Sequence, residues 1–510
     1  MISKLKYSIL LFVYMPFSFL GQIDGDALFS TDQVITIELT FSQPNYFDSL
    51  EANYASSSYM KADLVLTDNS GTTSYSEVGI RLKGNSTYSH PNDKKSFKID
   101  FNKYTQGQNY DGLKKLNFNN GFKDPSLMRE KIFFDVCNDV GVAAPRANFA
   151  TVYFNGVLWG FYTVVEQIDD QFLDWKIGDD DGNLFKAGDN FSAGPGGSTN
   201  TEGNLVYYGF SQNLYADRYE LKTNESANDW TDLIDFLNFV NNSTDYEFET
   251  ELETRFELDE FLYSLALDNL FSNLDSYIGS ARNWYLYHNE TSNKWHWIKW
   301  DANESFGSYA NNQNVLNLSL DYVENDRPLV ERIFNSAALI EQYNEHVCTL
   351  LSNYFNADSL NPKIDHYYTL IQNHVYADTK KMYTNTNFNQ IINANISSGG
   401  GPMGGTIYGI KPFISSKENA AQNQIDCAQY TGLIEETVDF KLYPVPTTDQ
   451  LYIESNKKVN QLSISTLSGR IVKVVYNAST VEVKDFSKGL YLVTVSFEDG
   501  TVASKRFMKN

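Results

Sequence analysis

The chain has 510 residues, 40 Lys+Arg against 64 Asp+Glu, and 42% hydrophobic residues, which is enough for two or three domains with real cores and too apolar for a disordered tail. A net charge of −24 argues against a general nucleic-acid binder, because phosphate backbones demand a Lys/Arg surplus. The 15% aromatic content, with 34 Tyr and 34 Phe, points to strand-rich structure or to surfaces that stack on ligands, and β-propensity explains much of it.

At the N-terminus, Lys4 and Lys6 precede an apolar run over residues 7–20, and Gly21-Gln22 returns to polar sequence. That run is too short to span a bilayer and reads as a secretory signal peptide over residues 1–21. Cys137, Cys348 and Cys427 fall in no CxxC pair, so neither a zinc site nor a redox motif is expected, and one disulfide at most can form. Period-two alternation predicts strands over 34–41, 62–66 and 75–83, the last running into the turn Gly84-Asn85-Ser86, and a partner strand over 95–101. Residues 125–140 carry Leu127, Ile132, Phe133 and Val136 at helical spacing, closed by Gly141. Strands over 149–154 and 158–165 flank Asn155-Gly156, a pair that readily takes the positive φ angles of a type I′ turn.

Beyond a Gly-rich stretch at 194–203 the spacing predicts helices over 230–240, 259–274, 330–355 and 362–382, interrupted by a hairpin of 284–288 and 295–300. Residues 397–405 read as a Gly/Ser/Pro loop. From residue 440 onward, short strands at 451–454, 461–467, 470–475, 481–483, 490–497 and 505–508 predict a small all-β sandwich.

Nucleotide fingerprints of the GxxxxGK[ST] and GxGxxG types are missing, as are HExxH and GxSxG, and the six histidines are scattered. Polar residues gather instead at the ends of predicted elements. Arg81, Lys83, Gly84, Asn85 and Ser86 lie at a strand–turn junction, which either turns the chain or presents N–H groups and cations to phosphate. Lys95 and Lys98 sit on opposite faces of the next strand, so one can point into a cleft while the other meets solvent. Asp275 closes a helix, Arg282-Asn283 precedes a strand, and Asp301 follows that strand's hairpin partner. Two carboxylates so placed suit a general base and a Mg²⁺ ligand. Singly, each is an ordinary turn or cap residue.

The order of these motifs is more specific than any one of them. The run from Val78 to Ser86, then Lys94-Lys95-Ser96-Phe97-Lys98, Ser126-Leu127-Met128-Arg129-Glu130-Lys131, Ala144-Pro145-Arg146, Glu166-Gln167-Ile168-Asp169, Leu267-Asp268-Asn269, Asp275-Ser276-Tyr277, Trp300-Asp301 and Gly409-Ile410-Lys411-Pro412-Phe413 closely resembles the CotH spore-coat kinase family. The resemblance implies an α+β, atypical protein-kinase-like, two-lobed fold over residues 22–425, with a β-rich N-lobe and a helical C-lobe. It also implies ATP with Mg²⁺, or Mn²⁺ in its place, and transfer of the γ-phosphoryl group to Ser/Thr hydroxyls of a protein. Asp275 is then similar to the catalytic Asp, and Asp301 with Asn283 to the metal-binding residues. Lys95 or Lys98 is similar to the N-lobe lysine, Arg81, Lys83, Asn85 and Ser86 to a nucleotide-binding turn, and Glu166 lies where the lobes join. Asp268 is a competing catalytic Asp, since Asn273 follows it at the spacing of HRDxxxxN. Asn303 stands where the family's tryptophan–aspartate motif usually continues with a second acid.

The tail resembles a second family. Leu442-Tyr443-Pro444-Val445-Pro446-Thr447, Leu467-Ser468-Gly469-Arg470 and Lys488-Gly489-Leu490-Tyr491 are similar to the C-terminal sorting domain of type IX secretion cargo in Bacteroidetes-like bacteria. That likeness implies an immunoglobulin-like sandwich at 437–510 behind a linker at 426–436, handling by the type IX machinery, and a secreted or outer-membrane-surface location. A catalytically silent kinase-fold surface or adhesion protein is the alternative function, because ATP is scarce outside cells.

Overall fold

In the computed structural model, which describes residues 23–188, 202–310, 313–397, 405–430 and, within 440–509, all but 446, 456, 467–470, 485, 487 and 498–501, alternating strands close into a seven-stranded barrel. They are β1 (Val34–Thr40), β2 (Met60–Asp68), β3 (Gly71–Lys83), β4 (Ser96–Asp100), β5 (Lys115–Asn119), β6 (Ala147–Phe154) and β7 (Val157–Glu166), in the spatial order β1-β2-β3-β4-β5-β7-β6. A parallel pairing of β1 with β6, from Val34 opposite Phe149 to Leu39 opposite Phe154, closes the ring, and the other pairings are antiparallel. Asn155 and Gly156 both have positive φ, 49° and 77°, as the β6–β7 turn requires.

Ile80, Leu82, Phe97, Ile99, Leu116 and Phe118 fill the barrel interior, with Phe97 and Phe118 stacked at 4.6 Å. Because side chains alternate across a strand, the residues between them point outward: Arg81 and Lys83 from β3, Lys98 from β4, and Lys115, Asn117 and Asn119 from β5. Arg81 lies directly opposite Lys98, and Lys98 opposite Asn117.

A buried ion pair joins the barrel to the helical part. Lys94, just before β4, reaches Asp378 at the end of the helix Ala357–Ala377 at 2.7 Å, with side chains 0% and 1% exposed. Asp378 also accepts from the N–H of Phe161 on β7 at 2.9 Å and of Lys380 at 2.8 Å. Gly160 makes room for this pair, since a Cβ there would lie 3.0 Å from Lys94 Cε and 3.1 Å from Asp378 Oδ2.

The second sheet contains β8 (Leu184–Ala187), β9 (Tyr219–Leu221), β10 (Trp284–Asn289) and β11 (Lys294–Lys299), in the order β11-β10-β8-β9. Helices Thr231–Asn242, Asp245–Arg255, Leu258–Leu270, Pro328–Asn335, Ala337–Asn353, Ala357–Ala377 and Ile410–Gln422 make up most of the remainder. The continuous helix expected over 330–355 is two helices, because Ser336 is extended and its hydroxyl accepts from Leu339 N–H to start the second. The helix expected from 362 begins at Ala357, where the Asn356 side chain caps it by accepting from Ser359 N–H, and Pro362 lies inside it. Asp245–Arg255 is mostly polar and buries only Phe248 and Leu252, one turn apart on one face, and Thr244 and Glu247 form a capping box that starts it. β12 (Ile396–Ser397) pairs antiparallel with β13 (Thr406–Ile407). Residues 1–22, 189–201, 311–312, 398–404 and 431–439 lie outside the described residues, and with them the expected signal peptide, most of the Gly-rich stretch, most of the expected 397–405 loop and part of the linker.

The chain divides into two compact units, up to Gln424 and from Ile425. The second holds β14 (Lys441–Tyr443), β15 (Gln450–Glu454), β16 (Val459–Thr466), β17 (Ile471–Tyr476), β18 (Thr480–Glu482), β19 (Gly489–Phe497) and β20 (Val502–Lys509). They form two antiparallel sheets, β14-β15-β18 and β17-β16-β19-β20, around one core that includes Leu451, Ile453, Leu462, Ile464, Val481, Val493 and Phe507. The whole is therefore a mixed α+β chain. Among the described residues no helix is long and apolar enough to cross a membrane.

The Lys94–Asp378 pair yields the first test. Asp378→Ala leaves a buried ammonium and two backbone N–H groups without their acceptor, and is expected to cost about 3–5 kcal/mol in urea unfolding. Lys94→Met, which leaves Asp378 with two donors, should cost less.

Candidate functional site

The outward face of β3, β4 and β5 carries a stripe of cations, and the end of β11 brings acids to it. Lys83 is the last residue of β3, where its ammonium donates to Asn119 Oδ1 at 2.7 Å and lies 5.3 Å from the centre of the Trp300 ring. Asn119 in turn donates through Nδ2 to both oxygens of Glu130, at 3.0 and 2.8 Å. Glu130 is buried in the first turn of the helix Arg129–Asp139, on the outer side of the barrel. Burial lowers the Lys83 pKa while Asp301 and Glu130 pull it back up; burial and then Asp301 raise that of Glu130, against the Asn119 hydrogen bonds and Lys83.

Lys98 is lowered well below the ordinary lysine value, by burial and then by Arg81, Lys83, Lys115 and Lys186. Like charges directly across a strand pair, as Arg81 and Lys98 are, cost stability. Lys186 arrives from β8, opposite Tyr285 of β10, and burial lowers its pKa against the pull of Glu220 and Asp301. Tyr285 packs edge-on to Trp300, so the second sheet delivers Lys186, Trp300 and Asp301 to one place.

Asp301 follows β11 with a φ of 53°, and Asn283 precedes β10 with a φ of 61°. Ala281 and Phe306 also have positive φ, 56° and 58°, and this concentration of left-handed non-glycine residues marks backbone held in place by its surroundings. Asn283 Nδ2 donates to the backbone oxygen of Asp275 at 2.8 Å and to its Oδ2 at 3.0 Å. Burial raises the pKa of Asp301, Lys83 and Lys186 lower it, and Asp275 raises it. Glu304 is pushed up to about 7 by burial and then by Asp275, while Lys123 holds it at 2.8 Å. Lys115 pairs with Asp169 at 3.5 Å on the same side of the barrel.

The structure thus brings Lys83, Lys98, Asp275, Asn283 and Asp301 into one cluster, with Arg81 at its edge over the Tyr59 ring. The other expected site residues are engaged elsewhere. The Lys95 ammonium donates to the carbonyls of Tyr88 and His90, at 2.7 and 2.5 Å, and ties down the turn that follows β3. Asn85 and Ser86 in that turn are exposed, and Asn85 makes no side-chain capping bond to the four-residue helix Ser86–Ser89. Gly84 adopts a φ of 90°, where a Cβ would collide with Thr87 Oγ1 at 1.9 Å. Glu166 is buried at the end of β7 and accepts from the guanidinium and N–H of Arg146 and from Trp175 Nε1. Asp268 is buried in an ion pair with Lys299 and accepts from Asn273 Nδ2 at 2.9 Å. Glu130, Asn119, Lys186 and Glu304 join these residues without a role assigned from sequence; Glu130 stands in the Ser126–Lys131 run and Glu304 three residues after Asp301, but nothing local marks Asn119 or Lys186.

Among the described residues no group of three or more His, Cys, Asp and Glu side chains is arranged to hold a metal ion. Mg²⁺ is ordinarily held by one or two carboxylates, with water and substrate phosphates completing its shell, so the oxygen donors of Asp301 and Asn283 fit it.

Residues 80–397 match the family model described as CotH kinase protein. The chain belongs to the CotH kinase family. Over 313 residues this CotH family member is 28% identical to the inner spore coat protein H of Bacillus subtilis (strain 168), covering 60% of this chain and 79% of that protein. Residues 441–510 match the secretion system C-terminal sorting domain, which implies handling by the type IX secretion system and a secreted or cell-surface location. The crystal structure of a Helicobacter pylori proinflammatory kinase, CtkA, is similar at 12% identity, covering 67% of this chain and 95% of that one, with a TM-score of 0.24. At that score it carries no argument about the fold.

Glu304 gives this CotH family member a pH signature in the metal-free state. Its carboxyl is raised from 4.5 to about 7, so the folded state favours the protonated form, and that contribution is whole below 4.5 and lost as pH rises through about 7. Glu304→Gln removes the loss. Its stability relative to the unmodified protein should therefore climb over this interval by on the order of 1–3 kcal/mol, read from thermal unfolding across a pH series.

Proposed function

We propose that this protein is an exported CotH-type kinase, two-lobed in the protein-kinase manner, that transfers the γ-phosphoryl group of ATP to a Ser or Thr hydroxyl of a protein. The observation that carries this reading is the opposition of a cationic face, Arg81, Lys83, Lys98 and Lys186, to the acids Asp275 and Asp301. Burial first, and like-charged neighbours after it, lower Lys98, while burial and Asp275 raise Asp301 against the pull of Lys83 and Lys186; a polyphosphate with a divalent cation relieves the like-charge part on both sides at once. The relation of Lys83 on β3 to Glu130 on a helix and to Asp301 after a hairpin is the one protein kinases use to hold nucleotide phosphates and metal. It favours Lys83, with Lys98 beside it, as the phosphate-binding lysine over Lys95, whose ammonium already serves two carbonyls.

Asp301, assisted by Asn283, would hold Mg²⁺ or Mn²⁺, which would supply charge neutralisation at the phosphoryl oxygens. Lys83 and Lys98 neutralise the remaining phosphate charge, with the Trp300 ring beneath Lys83 fixing its height. Asn283 occupies Oδ2 of Asp275, leaving Oδ1 to take the proton of the attacking hydroxyl. The hydroxyl oxygen bonds to the γ-phosphorus as the bond to the β-phosphate bridging oxygen breaks, giving ADP and a phosphoester. In the domain arrangement we propose, residues 1–21 are the signal peptide, 22–425 the kinase domain, 426–436 a linker and 437–510 an immunoglobulin-like sorting domain.

Radiolabelled phosphate transfer from ATP with Mg²⁺ or Mn²⁺ tests the activity. Asp275→Asn should lower it about 10²–10⁴-fold with nucleotide binding retained, and Asp301→Asn should abolish the metal-dependent part of nucleotide binding. Neither transfer nor a nucleotide-dependent thermal shift in the unmodified protein would leave the silent surface protein as the surviving function. Equal activity in all three would overturn the site. For the tail, deletion of residues 437–510 should trap the protein in the periplasm, and normal export of the truncated chain would refute the sorting role.

A further inference from the structure

The side chain between Lys83 and Glu130 is an amide, and that choice has chemical content. An ammonium only donates and a carboxylate only accepts, so a residue placed between them must accept on one side and donate on the other. Asn119 does both: its Oδ1 accepts from Lys83 Nζ at 2.7 Å, and its Nδ2 donates to the two Glu130 oxygens at 3.0 and 2.8 Å. It stands at the end of β5, its side chain on the outward face with Lys83, while Glu130 sits buried on the first turn of its helix. The lysine and the acid are therefore linked through a third side chain, and each is fixed by a hydrogen bond to the same small, rigid group.

We propose that Asn119 is a positioning residue that sets the place and protonation of the Lys83 ammonium for an incoming phosphate by bridging it to Glu130. The part of this concerning phosphate rests on the nucleotide-binding reading above; the bridge itself does not. An aspartate at 119 keeps an acceptor for Lys83, adds negative charge beside it and loses the donor to Glu130. A leucine loses both functions while keeping the same branching. The two substitutions must therefore move the Lys83 amine in opposite directions, because a carboxylate favours the charged form and a lost hydrogen bond disfavours it.

The experiment has two arms on the full mature chain. In the first, without nucleotide, competitive acetic-anhydride labelling of Lys83 across a pH series, read by mass spectrometry, gives its titration. Asn119→Asp should raise the apparent pKa and Asn119→Leu lower it, each on a protein whose circular dichroism matches the unmodified chain. An unmoved Lys83 titration in both folded variants overturns the bridge. Should Asn119→Leu fail to fold, Asn119→Ala, which also removes both functions and is likewise expected to lower the Lys83 titration, serves in its place. In the second arm, Mg²⁺–ATP affinity is measured by calorimetry in a cycle of Asn119→Leu, Lys83→Met and the double variant. Each single change should weaken binding about tenfold or more, and the double no more than Lys83→Met alone, as expected of residues acting through one another. Additive losses overturn the positioning role. Absence of ATP binding in the unmodified chain overturns the nucleotide-binding reading and with it the phosphate part of this proposal, while the first arm still decides the bridge.

Discussion

Closure of the barrel governs everything that follows it in space. The parallel β1–β6 pairing removes the sheet's free edges and forces each strand to divide its side chains between inside and outside. Phe97, Ile99, Leu116 and Phe118 must go in, and so Lys98, Asn117 and Asn119 must go out. A one-residue slip anywhere in β3, β4 or β5 would bury the lysines among phenylalanines and expel the core. The cationic face is thus a by-product of hydrophobic packing on the other side of the same three strands. Its geometry is as rigid as that packing.

What faces the cations is built differently. Asp275, Asn283, Asp301 and Glu304 lie on loops around the β10–β11 hairpin, where left-handed backbone at Ala281, Asn283, Asp301 and Phe306 is held by neighbouring structure. The stacked Trp284 and Trp297, 4.2 Å apart, anchor the hairpin from behind, and Phe306 N–H bonds the carbonyl of Phe271 at 2.7 Å. A rigid sheet face opposed by strained loops is a division of labour suited to a ligand that must be gripped on one side and acted on from the other.

Much of this was open to inspection in the sequence, and the remainder has identifiable reasons for being hidden. The β3–β4 and β10–β11 hairpins and the Asn155-Gly156 turn follow from local alternation and turn chemistry. Parity alone placed Lys95 and Lys98 on opposite faces, but which face meets the acids depends on barrel closure, a long-range event. Asp268 and Asp275 are both acids near a helix end; only packing shows that Lys299 claims the first and leaves Asn283 with the second. Lys186 comes from a four-residue strand beyond the reach of periodicity, and Asn119 is an unremarkable amide until Glu130 arrives from a different element. The ordered series of motifs identified the family because it samples many such positions together, without requiring any one of them to be understood.

Cys137 lies in the helix that carries Glu130, fully buried and free, and burial raises its pKa far above the ordinary thiol range. A thiol so placed is inert as a nucleophile while the core is closed and becomes reactive only when the packing around that helix opens. The chain therefore contains its own clock for opening of this region. The rate at which a small thiol reagent modifies Cys137 counts the excursions of the element that supports Glu130, with no label added and no residue changed.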